Sequence, residues 1–200
     1  MILLKELQNY PVFGVREISN ICGADKNYAK LVLYRLKKTG AIFPLERDKY
    51  TVHTDPLVVA SRLVWPSYIS SWGAIRHYNL TEQLPNYIEV VTTRPRKSKE
   101  KIITFMNANI EFIKIKREYF FGYKKIRYGE NDIFIADKEK ALADALYLGQ
   151  MSFETVIETI REHKEEIDVD LLKKYLKRMK MANVLNRLKE VSLDDKQKRT

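Results

Sequence analysis

Cysteine occurs once in this chain, as Cys22. No disulfide can form within it, and a reducing compartment, the cytoplasm, is the expected location. Cys22 itself is read as a small apolar residue in a turn between two helices. The seven glycines are too dispersed to build a phosphate-cradling loop. The three histidines, His53, His77 and His163, are scattered and none has metal-ligand spacing, so each is read as structural or solvated. HExxH, CxxC and GxSxG are all missing. Asp168-Val-Asp170 is the only D-x-D, and it opens a helix, where the dipole favours carboxylates. Asp137-Lys-Glu-Lys140 has the composition of a nuclease motif but fits a helix start better, and Glu162-His-Lys164 lies in mid-helix. These absences leave no catalytic residue, metal site or cofactor to expect. Long apolar runs are missing too. The first is interrupted by Lys5 and Glu6, unlike a signal peptide, and the one from Leu57 is cut by Arg62 and Pro66, so no membrane span is expected. There is no internal repeat and no low-complexity tract.

What remains is a chain of 200 residues, 45% apolar, with a formal net charge of +10. That is enough apolar content for a sizeable core in one or two domains. The excess of lysine and arginine favours a polyanionic partner, although some chains are basic only for solubility. The stretch Asp25–Gly40, DKNYAKLVLYRLKKTG, concentrates this character. At helical spacing Ala29, Val32, Leu33 and Leu36 form one apolar stripe, while Asn27, Lys30, Leu31, Tyr34 and Lys38 gather opposite, with Lys26 and Arg35 on the flanks. Asp25 is placed to cap the N-terminus and Gly40 to end the helix. Such a front suits DNA: Asn27 fits adenine edges, Leu31 a thymine methyl and the lysines phosphate. An ordinary solvated basic face is the plain alternative.

The flanking sequence favours the first reading. MILLKELQNYP gives a short helix stopped by Pro11, and VREISNI gives a second, broken by Gly23. Two helices joined by a short glycine turn, the second with a polar front, is the helix-turn-helix order. After Gly40, Ala41–Phe43 and Lys49–Val52 read as a hairpin wing with Arg47 and Lys49 at or near its tip. The expected fold class is α+β: an N-terminal winged helix-turn-helix over residues 1–54, then a mixed α/β domain over 55–200 with antiparallel hairpins and a helical C-terminal part. His53-Thr54-Asp55-Pro56 forms the junction, with a capping residue and a proline suited to a first turn. Leu57–Leu63 is expected as a connecting helix, and Ser67–Tyr78 as a second. The strand-rich part spans 86–136, the helical part 137–191 and a frayed tail 192–200. Between NYIEVVTT and KIITF, both strands, the run Arg94–Lys101 reads as a solvated hairpin loop whose Arg94, Arg96, Lys97 and Lys99 are candidates for phosphate or an acidic partner. KIRYG and DIFIA make a further hairpin. Asp137, Ser152 and Asp168 are each placed to cap a helix, the first carrying Ala141, Leu142, Ala145 and Leu146 inward.

Several blocks, taken together, resemble the AbiEi-type antitoxins, transcriptional regulators of abortive-infection toxin–antitoxin systems. They are YISSWGAIRHYNLTEQLP at 68–85, VVTTRPRK at 90–97, FFGY at 120–123 and IADKEKALADALY at 135–147. Their order and spacing carry the resemblance, which with the N-terminal unit covers nearly the whole chain. It implies a DNA-binding domain that represses its own operon and a C-terminal domain opposing a nucleotidyltransferase-like toxin. It implies fold-keeping roles for Trp72, Ala74, Phe120, Tyr123 and Asp137, and transfers no toxin-contacting residue. Three functions stay open at this level: a repressor that is also an antitoxin, a stand-alone regulator whose C-terminal domain senses a ligand or dimerises, and an enzyme acting on nucleic acid. Double-stranded operator DNA is the expected partner, no membrane is, and monomer or homodimer is undecided.

Overall fold

The first five elements lie within residues 2–51, and four of them use the capping and turn chemistry of residues 14–51. Helix α1 (Ile2–Leu7) is followed by α2 (Val15–Cys22), α3 (Lys26–Lys38) and a hairpin of β1 (Phe43–Glu46) and β2 (Lys49–Thr51). This is a computed structural model, and it describes residues 2–83, 86–95 and 101–197. Gly23 takes the left-handed conformation that ends α2, and two residues later the Asp25 carboxylate accepts the N–H groups of Asn27 (2.7 Å) and Tyr28 (3.0 Å). Helices and hairpin share one core, built from Leu7, Phe13, Ile18, Ala29, Leu33 and Ile42, with Val32 and Leu36 half-buried against it. The expected apolar stripe of α3 is therefore its inner face.

Two local expectations need correcting. The first hairpin strand lies at Phe43–Glu46 rather than Ala41–Phe43, because Ile42 is taken into the helical core. Pro44 is tolerated there because β1 pairs with β2 alone and its other edge needs no donor. Cys22 is exposed; the half-buried Ile21 packs against the core instead. A feature the pattern did not signal is the extra rung at Phe13, which exchanges backbone bonds with Tyr50 (2.9 and 2.8 Å) and so ties the hairpin to the start of α2. Gly14 sits beneath this rung. A Cβ there would come within 2.5 Å of the Asp48 carbonyl oxygen, so only glycine fits.

The rest of the chain is organised by a six-stranded mixed sheet. After α4 (Pro56–Leu63) come β3 (Ser67–Ile69), α5 (Ser71–His77), β4 (Tyr87–Thr92), β5 (Ile102–Phe105), β6 (Ala108–Lys114), a 3-10 turn (Arg117–Tyr119), β7 (Tyr123–Tyr128) and β8 (Asn131–Ala136). The strand order is β5-β6-β4-β3-β8-β7. Four helices complete the described chain: α6 (Lys138–Tyr147), α7 (Phe153–Glu162), α8 (Val169–Arg178) and α9 (Ala182–Gln197). The whole is mixed α+β. The expected caps form: Asp55, Asp137, Ser152 and Asp168 each accept a first-turn N–H.

The sheet overturns two expectations. Ser67–Tyr78 is not one helix. Ser67, Tyr68 and Ile69 form a fully buried strand between β4 and β8, where tertiary burial overrides the helical spacing of Ile69 and Trp72; α5 begins only at Ser71. Nor does Arg94–Lys101 join a hairpin. β4 pairs in parallel with β6, and β5 pairs with the far edge of β6, so β4 and β5 are not neighbours in the sheet. Arg96, Lys97 and Lys99 lie outside the described residues. Within the expected helical part 137–191, the chain breaks between α8 and α9 at Lys180, whose φ is +60°. α9 then runs on to Gln197, past residue 192 where a frayed tail was expected.

Apolar side chains cover both faces of the sheet, so neighbours on β4 serve different cores. Val91 joins the large cluster under α5–α8, whereas Val90 joins Val59, Ala60, Leu63, Ile103, Phe105, Ile110 and Phe112. Val12, Phe43 and Leu45 pack onto that second cluster, with the Phe43 ring edge-on to Phe105 at 6.4 Å. The N-terminal unit is thereby seated on the sheet.

Candidate nucleic-acid interface

Because Ala29 and Leu33 face the core, with Val32 and Leu36 half-buried beside them, the opposite side of α3 faces water. Lys26, Asn27, Lys30, Leu31, Tyr34 and Lys38 are all exposed, Leu31 by 42% and Tyr34 by 62%. α3 contains no acidic residue, and Arg35, Lys37 and Lys38 fill its last turn, where the dipole favours cations. The Asp25 carboxylate that precedes α3 is occupied by capping. α3 thus presents ammonium, amide, phenol and one apolar group on a single surface, held on a rigid core. Tyr28, 48% exposed in the first turn, belongs to the same surface and escaped the sequence reading because it lies off the polar stripe.

The hairpin contributes less than expected. Arg47 stands free at the tip, its side chain 96% exposed; its 3.7 Å pair with Asp48 is a surface contact worth little. Lys49 points the other way. Its ammonium donates to the Leu63 carbonyl oxygen at 2.6 Å and pairs with Glu46 at 2.7 Å, so it fastens the hairpin to α4 rather than extending the basic front. His53 is also structural: its Nε2 lies 3.1 Å from the Gln8 carbonyl and burial lowers its pKa. Arg94 is exposed beyond the end of β4, remote in sequence from α3.

Arg94 belongs instead to a second basic feature. An open pocket of about 930 Å³ is lined by Arg94, Lys114, Lys116 and Arg117 together with Phe120, Tyr123 and Tyr147. It lies at the carboxyl ends of the parallel neighbours β4 and β6. Among the described residues, no acidic side chain lines it.

Beneath Tyr123 is a buried polar centre that no sequence motif announced. Tyr123 stacks on Tyr68 (4.7 Å between ring centres), and the Tyr68 hydroxyl donates to Asp144 at 3.0 Å. Ser70 donates to the same carboxylate at 2.7 Å, and Lys140 pairs with its other oxygen. Lys140 and Asp144 are fully buried. Burial pushes the Asp144 carboxyl up and the Lys140 ammonium down, against their mutual attraction. Lacking access for a substrate, this centre locks α6 to β3. The nuclease-like Asp137-Lys-Glu-Lys140 is likewise consumed in structure: Asp137 caps α6 and accepts from the Tyr175 hydroxyl (2.8 Å), while Glu139 accepts the Asp168 N–H (2.8 Å). Among the described residues, no group of three or more His, Cys, Asp or Glu is set to hold a metal ion, and no helix is long and apolar enough to cross a membrane.

No protein-family model and no curated protein sequence matches the chain.

Proposed function

We propose that the protein is a sequence-specific, double-stranded-DNA-binding transcriptional repressor. Residues 1–54 act as a winged helix-turn-helix, α3 as the recognition helix in the major groove and the β1–β2 hairpin as the wing, with Arg47 reaching phosphate. The observation that carries this reading is the composition of the exposed face of α3, basic and amide-bearing with no competing carboxylate, opposite a buried apolar stripe. Recognition helices read base edges from their first turns and hold phosphates along their flanks, which suits Asn27 and Lys30 for the first task and Lys26 and Lys38 for the second. Following the AbiEi-type resemblance, residues 55–200 act as an antitoxin domain in the cytoplasm, opposing a nucleotidyltransferase-like toxin encoded beside it. Titrating the full chain against its own upstream region and against a random duplex tests the first part: equal affinity at matched salt would end the repressor reading. Rescue of cells expressing the neighbouring reading frame tests the second.

One observation favours the alternative of a stand-alone regulator. The second part of the chain has a basic pocket of its own, as a ligand-sensing domain would. Absence of a toxin gene at the locus, with specific DNA binding retained, would select this alternative.

A further inference from the structure

We infer that the pocket at the carboxyl ends of β4 and β6 binds a nucleoside polyphosphate, with its phosphates on Arg94, Lys114 and Arg117 and its base against Tyr147. This stands apart from the DNA reading, since neither α3 nor the hairpin takes part.

The cations are positioned by backbone structure. Ile115 is buried and its N–H donates to the Thr92 carbonyl at 2.9 Å, extending the β4–β6 ladder; this fixes Lys114 and Lys116, on either side of it, toward solvent. Thr92 then orders the opposite wall: its hydroxyl donates to the Pro66 carbonyl (2.7 Å) and accepts the Arg94 N–H (3.1 Å). Arg117 opens the 3-10 turn immediately after Lys116. Among the described residues, Arg94, Lys114 and Arg117 pair with no carboxylate, whereas Glu118 beside them is engaged by Lys180 at 3.5 Å. Guanidinium and ammonium groups converging without an acidic counterpart are a phosphate site in chemistry.

The rings narrow the ligand further. Phe120 and Tyr123 pack on each other and on Tyr68, but Tyr147 keeps a free face, 36% exposed, with its edge-to-face partner Tyr119 steadying it at 5.2 Å. A bare polyphosphate leaves such a ring unused, and a base stacks on it. The volume of about 930 Å³ falls within the roughly 300–1,000 Å³ usual for small-molecule sites. The pocket also sits at the carboxyl ends of a parallel strand pair, the position at which open, mostly parallel sheets receive nucleotides.

Calorimetric titration of the full chain with ATP, inorganic triphosphate and adenosine tests this. ATP should bind saturably and more tightly than either part. Lys114→Gln and Arg117→Gln should each weaken ATP about tenfold. Tyr147→Leu should weaken ATP while leaving triphosphate binding unchanged. The double variant Lys164→Gln/Lys189→Gln, outside the pocket, should bind like wild type, and circular dichroism confirms that each variant is folded. Lack of saturable ATP binding would overturn the inference. So would an equal loss in the Lys164/Lys189 variant, which would mean diffuse charge attraction. Triphosphate binding as tightly as ATP would also overturn it, leaving an anion site with no base recognition.

Discussion

Glu89 is buried on β4 with its carboxylate accepting the Gly73 N–H at 3.2 Å. Burial, aided by the nearby Glu111 charge, outweighs that bond and pushes the pKa from 4.5 up to about 7. Below pH 4.5 folded and unfolded chains both hold the proton, and the folded state pays no charge penalty. As pH rises from 4.5 to about 7 the unfolded carboxyl ionises first, so stability falls through that window, by on the order of 3 kcal/mol in all. Urea midpoints for Glu89→Gln should therefore vary less between pH 5 and 8 than those of wild type, and should exceed them at pH 8. Parallel curves for the two proteins would refute the assignment. The Lys140–Asp144 pair makes a second case. Removing one partner leaves the other charge buried, so Lys140→Met should cost about 3–5 kcal/mol, and Lys140→Met/Asp144→Asn should cost less than the single change. A double variant weaker than Lys140→Met would contradict this. Little in the sequence warned of the pair: Lys and Asp four apart on a helix look like a surface ion pair. What hides them is that α6 is covered on all sides, Glu139 through Ala145. Only the alanines at 141, 143 and 145, which permit close packing all round, hinted at it.

At the scale of elements, short-range chemistry was legible and strand pairing was not. Asp25, Asp55, Asp137, Ser152 and Asp168 all cap where a side-chain oxygen precedes an apolar-periodic run, because that bond spans three residues or fewer. The Gly129–Glu130 turn joining β7 and β8 was readable for the same reason. β3 was missed because three residues carry no period, and its burial comes from β4 and β8, distant in sequence. The separation of β4 from β5 was missed because adjacent strands joined by a polar loop read as a hairpin; only the parallel β4–β6 ladder excludes it. The front of α3 was legible because the stripe behind it was continuous. It also carries the sharpest functional prediction. Asn27→Ala should narrow the gap between operator and random duplex by about 1–3 kcal/mol, the value of a good base contact. Lys38→Ala should weaken both duplexes equally and reduce the slope of log K against log salt by about 0.9. If neither variant changed affinity or preference, α3 would not be the reading element.

At the scale of the molecule, the parts on either side of the expected junction at His53–Asp55 are packed together. Val12, Phe43 and Leu45 pack on the cluster of Val59, Leu63 and Phe105, and Lys49 donates to the Leu63 carbonyl at 2.6 Å. Asn131 lies 3.5 Å from His53 across the same seam. Two consequences pull in different directions. The core of Leu7, Phe13, Ile18, Ala29, Leu33 and Ile42 lies wholly within residues 1–55, so a fragment of that length keeps its own centre. Cutting it away uncovers Val12, Phe43 and Leu45, each partly buried in the whole chain, and at roughly 25 cal/mol per Å² that exposure is a real loss for so small a unit. The fragment 1–55 should therefore bind operator DNA, and the amides of α3 should exchange hydrogen faster in it than in the full chain. Phe105→Ala, far from α3 in sequence, should speed α3 exchange in the full chain in the same direction by emptying the socket against Phe43. Equal protection in fragment, variant and wild type would show that the seam adds nothing. A fragment with no protected amides would show that the helices depend on the sheet to fold at all.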